Sequence, residues 1–251
     1  MISRSERARR SANWTKIQCG LADPLQLPAM SLTPVRMTIR GTRLFLHLPT
    51  QLSDALREHL GATPSADFLT AVQEDLLDLA ATWRRVGRER DVVVFLDAAA
   101  DAALHRVARR GLTPVRGVTT RELMRQRARK ALGDCRVVVV LDQPAPDYSL
   151  SAIDNLFRRA LEGIATVADL SGDWLGLGVC EGHKAVLDEG TSLSALVERA
   201  RLRAIPVHPL APSGRLDDAR DLEALRFRIL ERRARAPRSR RVLLALAAAE
   251  R

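Results

Sequence analysis

Two short runs, Asp91–Leu96 (DVVVFL) and Arg136–Leu141 (RVVVVL), constrain the fold more than any other feature of the chain. A strand with one wet face alternates polar and apolar residues. A continuous β-branched run is apolar on both faces and belongs to a strand covered on both sides, as in a parallel sheet sandwiched by helices. Each run is followed by a stretch of helical period, Ala-rich up to Gly111 in the first case and Ser149 to Leu161 in the second. Arg43–Leu48 (RLFLHL) supplies an earlier strand. Phe68, Leu69, Val72, Leu76, Leu77 and Leu79 then recur at helical spacing behind a Thr63 cap and Pro64. Further strands are expected at 164–168, 174–179 and 204–209, and further helices at 191–201 and 218–234. The pattern predicts a three-layer α/β/α domain on a mostly parallel sheet.

The domain is expected over 37–235. It is preceded by a Pro-containing basic extension, 1–36, and followed by a basic tail, 236–251. The net charge of +10 is concentrated at the ends. Residues 1–36 hold six basic and two acidic groups and 226–251 hold nine and two, which leaves 37–225 with 25 basic and 26 acidic groups. A body this close to neutral, with 4% aromatic residues, argues against a nucleic-acid-binding protein, which concentrates basic charge and stacking platforms on one surface. No apolar run reaches the roughly 18 residues of a membrane span. Cys19, Cys135 and Cys180 lack ligand spacing, so a reducing, cytoplasmic setting is expected.

Open α/β sheets bind ligands beyond the carboxyl ends of their strands. Asp142, directly after Val137–Leu141 and before Gln143-Pro144, places a carboxylate at that edge. Asp97 stands in the same relation to its strand. Asp217, Asp218 and Asp221 head the last long helix, where acidic residues also serve as caps. The chain has no Walker phosphate loop, dinucleotide-binding glycine fingerprint or His-Glu-x-x-His helix. No catalytic residue is assigned.

In order along the chain, several segments resemble the nucleotidyltransferases that attach GMP to 2-phospholactate or phosphoenolpyruvate in deazaflavin-coenzyme biosynthesis. Leu141-Asp142-Gln143-Pro144 resembles that family's Asp-x-Pro after the central strand. Val167-Ala168-Asp169-Leu170-Ser171-Gly172 is similar to the entry into its acceptor loop. Asp188-Glu189-Gly190-Thr191-Ser192 resembles its turn before a helix, and Leu216-Asp217-Asp218-Ala219-Arg220-Asp221-Leu222 its acidic ending.

The resemblance implies a nucleotide-diphospho-sugar transferase (GT-A)-like fold. It also implies transfer of a nucleotidyl group from a nucleoside triphosphate, such as GTP, to a small phosphorylated or carboxylate acceptor. Asp142 and Asp217 would hold Mg²⁺. Gly172, Thr191 and Ser192 would bind the acceptor; Arg57 and Arg121, or Arg125, are expected to meet the nucleotide in place of a triphosphate clamp that this chain lacks. Where the family carries lysines and an Arg that grip the triphosphate, this chain has His47, Ser53, Asp54, Ala55 and Leu56. That departure keeps two alternatives open: a catalytically degenerate subunit with a protein partner or an oligomeric role, and a glycosyltransferase-like protein using a nucleotide sugar.

Overall fold

The computed structural model describes residues 41–96, 101–117, 120–169, 173–188, 192–231 and 235–249. The strand order is set by which runs are apolar on both faces. β1 (Thr42–His47) lies between β2 (Arg90–Leu96) and β4 (Val137–Asp142), parallel to both. These are the runs that sequence places at the centre, and every residue of β4 is buried. The short β3 (Thr113–Arg116) flanks β2 at one edge. Beyond β4 come β6 (Trp174–Cys180), β5 (Ile164–Ala168) and β7 (Val207–Leu210). The sheet order is β3-β2-β1-β4-β6-β5-β7, and β6 alone runs against the other described strands.

Alternate residues of each central strand enter two separate cores. Leu44, Leu46, Val92, Val94, Val139 and Leu141 meet α2 (Ala62–Val86) and α5 (Leu150–Glu162) on one face. Phe45, Phe95, Val138 and Val140 meet α4 (Arg121–Ala131) on the other, where α6 (Leu193–Leu202) also packs. The expected three-layer α/β/α arrangement is therefore the observed one. Gly178 in β6 permits a close approach of α5, since a Cβ there would stand 2.9 Å from the Leu156 carbonyl oxygen.

Several boundaries differ from expectation. α2 starts at Ala62 behind Gly61, not behind a Thr63 cap, so Pro64 sits inside the first turn, where its missing N–H costs no helical bond. Ser53 instead caps a separate short helix, α1 (Asp54–Leu60), accepting a hydrogen bond from the Leu56 N–H. α3 (Asp101–Arg109) lies between β2 and β3. α7 spans Ala219–Glu231.

The largest correction concerns the expected C-terminal tail, because Pro237–Ala249 forms α8 and packs on α2. Buried Asp75 of α2 accepts from the Ser239 N–H and Oγ, each at 2.8 Å, and from the Arg238 N–H at 3.2 Å. Part of the basic charge assigned to that end is neutralised within the fold: Arg238 pairs with Asp78 at 2.5 Å and Arg228 with Asp147 at 2.6 Å. Among the described residues no helix is long and apolar enough to cross a membrane. The 1–36 extension lies outside the described residues.

Candidate functional site at the carboxyl edge of the sheet

β1 and β4 are in register so that His47 stands beside Asp142, each the last residue of its strand. His47 Nδ1 and Asp142 Oδ1 are 2.9 Å apart. An ionised carboxylate only accepts, so the ring proton belongs on Nδ1 in this contact. Gln143 then adopts φ 50°, a left-handed conformation uncommon for a side-chain-bearing residue, while its N–H bonds the His47 carbonyl oxygen at 3.1 Å. This turn carries the chain away from the strand axis and leaves Asp142 at the edge with its second oxygen available.

That oxygen is taken by two guanidinium groups. Arg121, in the first turn of α4, donates through Nε to Asp142 Oδ2 at 2.8 Å. It also pairs with Asp173 and lies over the Trp174 ring, 5.4 Å from its centroid. Arg215 donates through Nη2 to the same Oδ2 at 2.7 Å. It is delivered by the segment after β7, which crosses the sheet's end. The Ser213 N–H bonds the Ala168 carbonyl oxygen at 3.1 Å, and the Ala145 N–H bonds the Gly214 carbonyl oxygen at 3.3 Å.

Burial of Asp142 raises its pKa, but hydrogen bonds from His47 and Arg121 and the charge of Arg215 outweigh that effect and hold it below the ordinary carboxylate value. One donor of Arg215 is unsatisfied. Its Nε–H is buried and has no hydrogen-bond partner among the described residues.

Arg215 and Asp217 form one wall of a cleft of about 220 Å³. The opposite wall is the loop from Pro49 to Ser53, with Gln143 and Pro144 at its base. The walls are tied together by Ser53 Oγ, which donates to the Asp217 carbonyl oxygen at 2.5 Å. Burial raises the Asp217 pKa above its ordinary value; Arg215 opposes the shift, and the nearby charges of Asp221, Asp169 and Asp142 add to it. The other two acidic residues of the last motif serve local structure. Asp221 accepts from the Asp217 N–H at 2.9 Å, and Asp218 accepts from the Asp221 N–H at 2.9 Å, closing the entry to α7.

The structure thus brings Asp142, Asp217 and Arg121 to one edge of the sheet. It adds His47 and Arg215, which sequence reasoning does not single out for this role. Arg57 is elsewhere, paired with Asp54 on the exposed side of α1. Arg125 is buried within α4, where it pairs with Glu122. Ser192 caps α6, accepting from the Ala195 N–H at 3.2 Å. Gly172, Thr191 and Asp97 lie outside the described residues.

The Mg²⁺ implied by the resemblance does not fit this donor set. Mg²⁺ takes hard oxygen ligands in near-octahedral order. Both Asp142 oxygens already accept N–H donors, two of them cationic, and no group of three or more His, Cys, Asp or Glu among the described residues is arranged to hold a metal ion.

No family model matches the chain, and neither does any curated protein. Solved structures do. A protein of Desulfovibrio desulfuricans G20 assigned to the nucleotide-diphospho-sugar transferases is 19% identical, with a TM-score of 0.65 over 82% of this chain and 96% of its own. The 4-diphosphocytidyl-2C-methyl-D-erythritol synthase of Anaerococcus prevotii is 14% identical, with a TM-score of 0.50 over 74% of this chain and 96% of its own. The fold is that of the GT-A-like nucleotide-diphospho-sugar transferases.

Proposed function

We propose that the cleft between Pro49–Ser53 and Arg215–Asp217 binds the phosphates of a nucleotide donor, and that the chain is a diverged nucleotidyltransferase-like protein. The donor is a nucleoside triphosphate, for which the resemblance points to GTP, and the acceptor a small phosphorylated or carboxylate molecule. The observation that carries this reading is Arg215. It is a guanidinium in the cleft wall at the carboxyl edge, held by Asp142 through one nitrogen and with a buried Nε–H still lacking an acceptor among the described residues. Phosphate oxygens pair well with a guanidinium, and a fork of parallel N–H groups suits them.

In nucleotidyl transfer the acceptor oxygen attacks the α-phosphorus of the nucleoside triphosphate and forms the new P–O bond, and pyrophosphate leaves with the electrons of the broken one. Positioning and charge neutralisation dominate such a step. Arg215 would neutralise phosphate charge. Asp142 and His47 would hold Arg215 and Arg121 in place. Arg121 would join the donor side to Asp173 and Trp174, which border the segment that the resemblance assigns to the acceptor.

A nucleotide-binding subunit without transfer activity is favoured by one specific observation, the occupation of both Asp142 oxygens by protein donors. The Mg²⁺-dependent form of the transfer, with Asp142 and Asp217 as ligands, requires Arg121 and Arg215 to leave Asp142. The reading is tested by titrating nucleoside triphosphates and UDP-glucose calorimetrically into wild type and Arg215→Gln. Saturable binding that Arg215→Gln weakens supports it, and binding of none of these nucleotides by the folded protein overturns it. Pyrophosphate release with 2-phospholactate or phosphoenolpyruvate as acceptor separates a transferase from a binding subunit.

A further inference from the structure

We infer that Arg121 and Arg215 hold Asp142 closed to a divalent ion and that Arg215, in the cleft wall, meets the donor's phosphates directly, so that donor binding in this cleft is independent of metal. The inference rests on the reading of the cleft as a nucleotide site and adds to it the source of the positive charge.

Two guanidinium groups converge on one oxygen of a carboxylate that is 5% exposed. A cation entering at Asp142 would have to displace both, leaving Arg215, 17% exposed, without its counter-ion and Arg121, 23% exposed, with Asp173 alone. Removing one member of a buried pair carries a large penalty. Arg121 and Arg215 together balance Asp142 and Asp173, to which they are bonded, so the local charge is already compensated. Arg215 also lines the cleft. Arg215 has five N–H groups, one nitrogen is spent on Asp142, and Nε–H is buried without an acceptor among the described residues. A hydrated divalent ion would attach phosphate to the carboxylates through shared oxygens. Here the link runs from Asp142 through the guanidinium to the phosphate, and Asp142 acts as a positioning residue.

The experiment is calorimetric titration of ATP, CTP, GTP, UTP and UDP-glucose into wild type, once with EDTA and once with excess MgCl₂. Electron paramagnetic resonance of Mn²⁺ added without nucleotide gives a readout that needs no variant. Metal independence predicts dissociation constants within about threefold of one another in the two buffers, a difference of less than one decade. It also predicts Mn²⁺ signals indistinguishable from free ion. In EDTA, Arg215→Gln weakens binding by about tenfold to a hundredfold, as expected for loss of charge-assisted hydrogen bonds, and Arg215→Lys recovers part of the loss.

Binding seen only with MgCl₂ overturns the inference and leaves the nucleotide site standing. The inference fails in the same way if wild type binds Mn²⁺ and Asp142→Asn does not, or if Arg215→Gln binds like wild type in EDTA. Absence of binding in both buffers overturns the nucleotide reading itself, and the inference with it.

Discussion

Asp75 and Asp142 are equally buried, each 5% exposed, yet they are satisfied in different ways. Asp75 sits in the middle of α2 and spends its oxygens on the Arg238 and Ser239 N–H groups and the Ser239 hydroxyl, in the first turn of α8. Its donors are mainly neutral groups at a helix N-terminus, a pairing favoured by the local dipole. The interaction fastens two helices. Asp142 ends a strand and spends its oxygens on an imidazole and two guanidinium groups from three distant parts of the chain. One of those guanidiniums lines a cleft and keeps a donor unused. A carboxylate saturated by backbone and hydroxyl donors is a fastener, whereas one that orients charged groups at a cleft is, in the function proposed above, part of a ligand surface.

The comparison breaks most readily at Asp142. Asp142→Ala removes one partner from a buried ionic cluster and leaves Arg121 and Arg215 facing each other, so stability should fall by about 3–5 kcal/mol in urea unfolding. Asp75→Ala should cost somewhat less, about 2–3 kcal/mol, because the orphaned groups are polar N–H and O–H rather than two charges. In native-state hydrogen exchange its effect should concentrate in α8. Nucleotide affinity of the folded Asp75→Ala protein should match wild type. A large affinity loss there would erase the distinction between fastener and site.

An acid titration sharpens the same contrast. The folded pKa of Asp142 is depressed, so its contribution is fully present above the ordinary value of 3.8 and is lost as pH falls through the lower, folded value. Urea midpoints measured from neutral pH downward should drop steeply below about pH 4 in wild type. The corresponding slope should be smaller in Asp142→Asn, which has no proton to take up at that position.

The two regions also differ in how far they are legible in the sequence. Continuous Val runs disclose β2 and β4 because a doubly covered strand leaves no polar positions, and Asp142 stands out as the residue ending such a run. Its neighbours do not. Arg215 arrives 73 positions later in the chain and His47 stands 95 positions earlier. Their meeting depends on β1–β4 register and on the crossing after β7, neither of which is a local pattern. α4 gives no clear apolar period because its surface is nearly all charged, with Met124, Ala128 and Ala131 among its few buried apolar residues. β3 is four residues long, contains Pro114 and lies at an edge, so it lacks the buried run of the central strands. α8 reads as a tail because its Arg residues mask a short apolar stripe. Its anchor, Asp75, lies 164 positions away from Ser239.

The smallest predicted effect concerns Asp217 and has the opposite sign to that of Asp142. Its folded pKa is raised, first by burial, with Arg215 opposing and Asp221, Asp169 and Asp142 adding to the shift. The stability linked to its protonated form is therefore present below 3.8 and is lost as pH rises through the folded value. At neutral pH the charged carboxylate is a burden. Asp217→Asn should raise stability there by less than about 1 kcal/mol, since solvent screens a partly exposed group, and the gain should vanish in acid. Urea unfolding of both proteins at the two ends of this range measures the sign. The same variant discriminates between the two sources of positive charge in the cleft. If Arg215 carries the phosphates, removing the nearby negative charge leaves nucleotide affinity in EDTA equal to wild type or slightly tighter. If Asp217 is a metal ligand, the substitution weakens Mg²⁺-dependent binding, because a neutral amide oxygen is a poorer partner for a hard cation than a carboxylate.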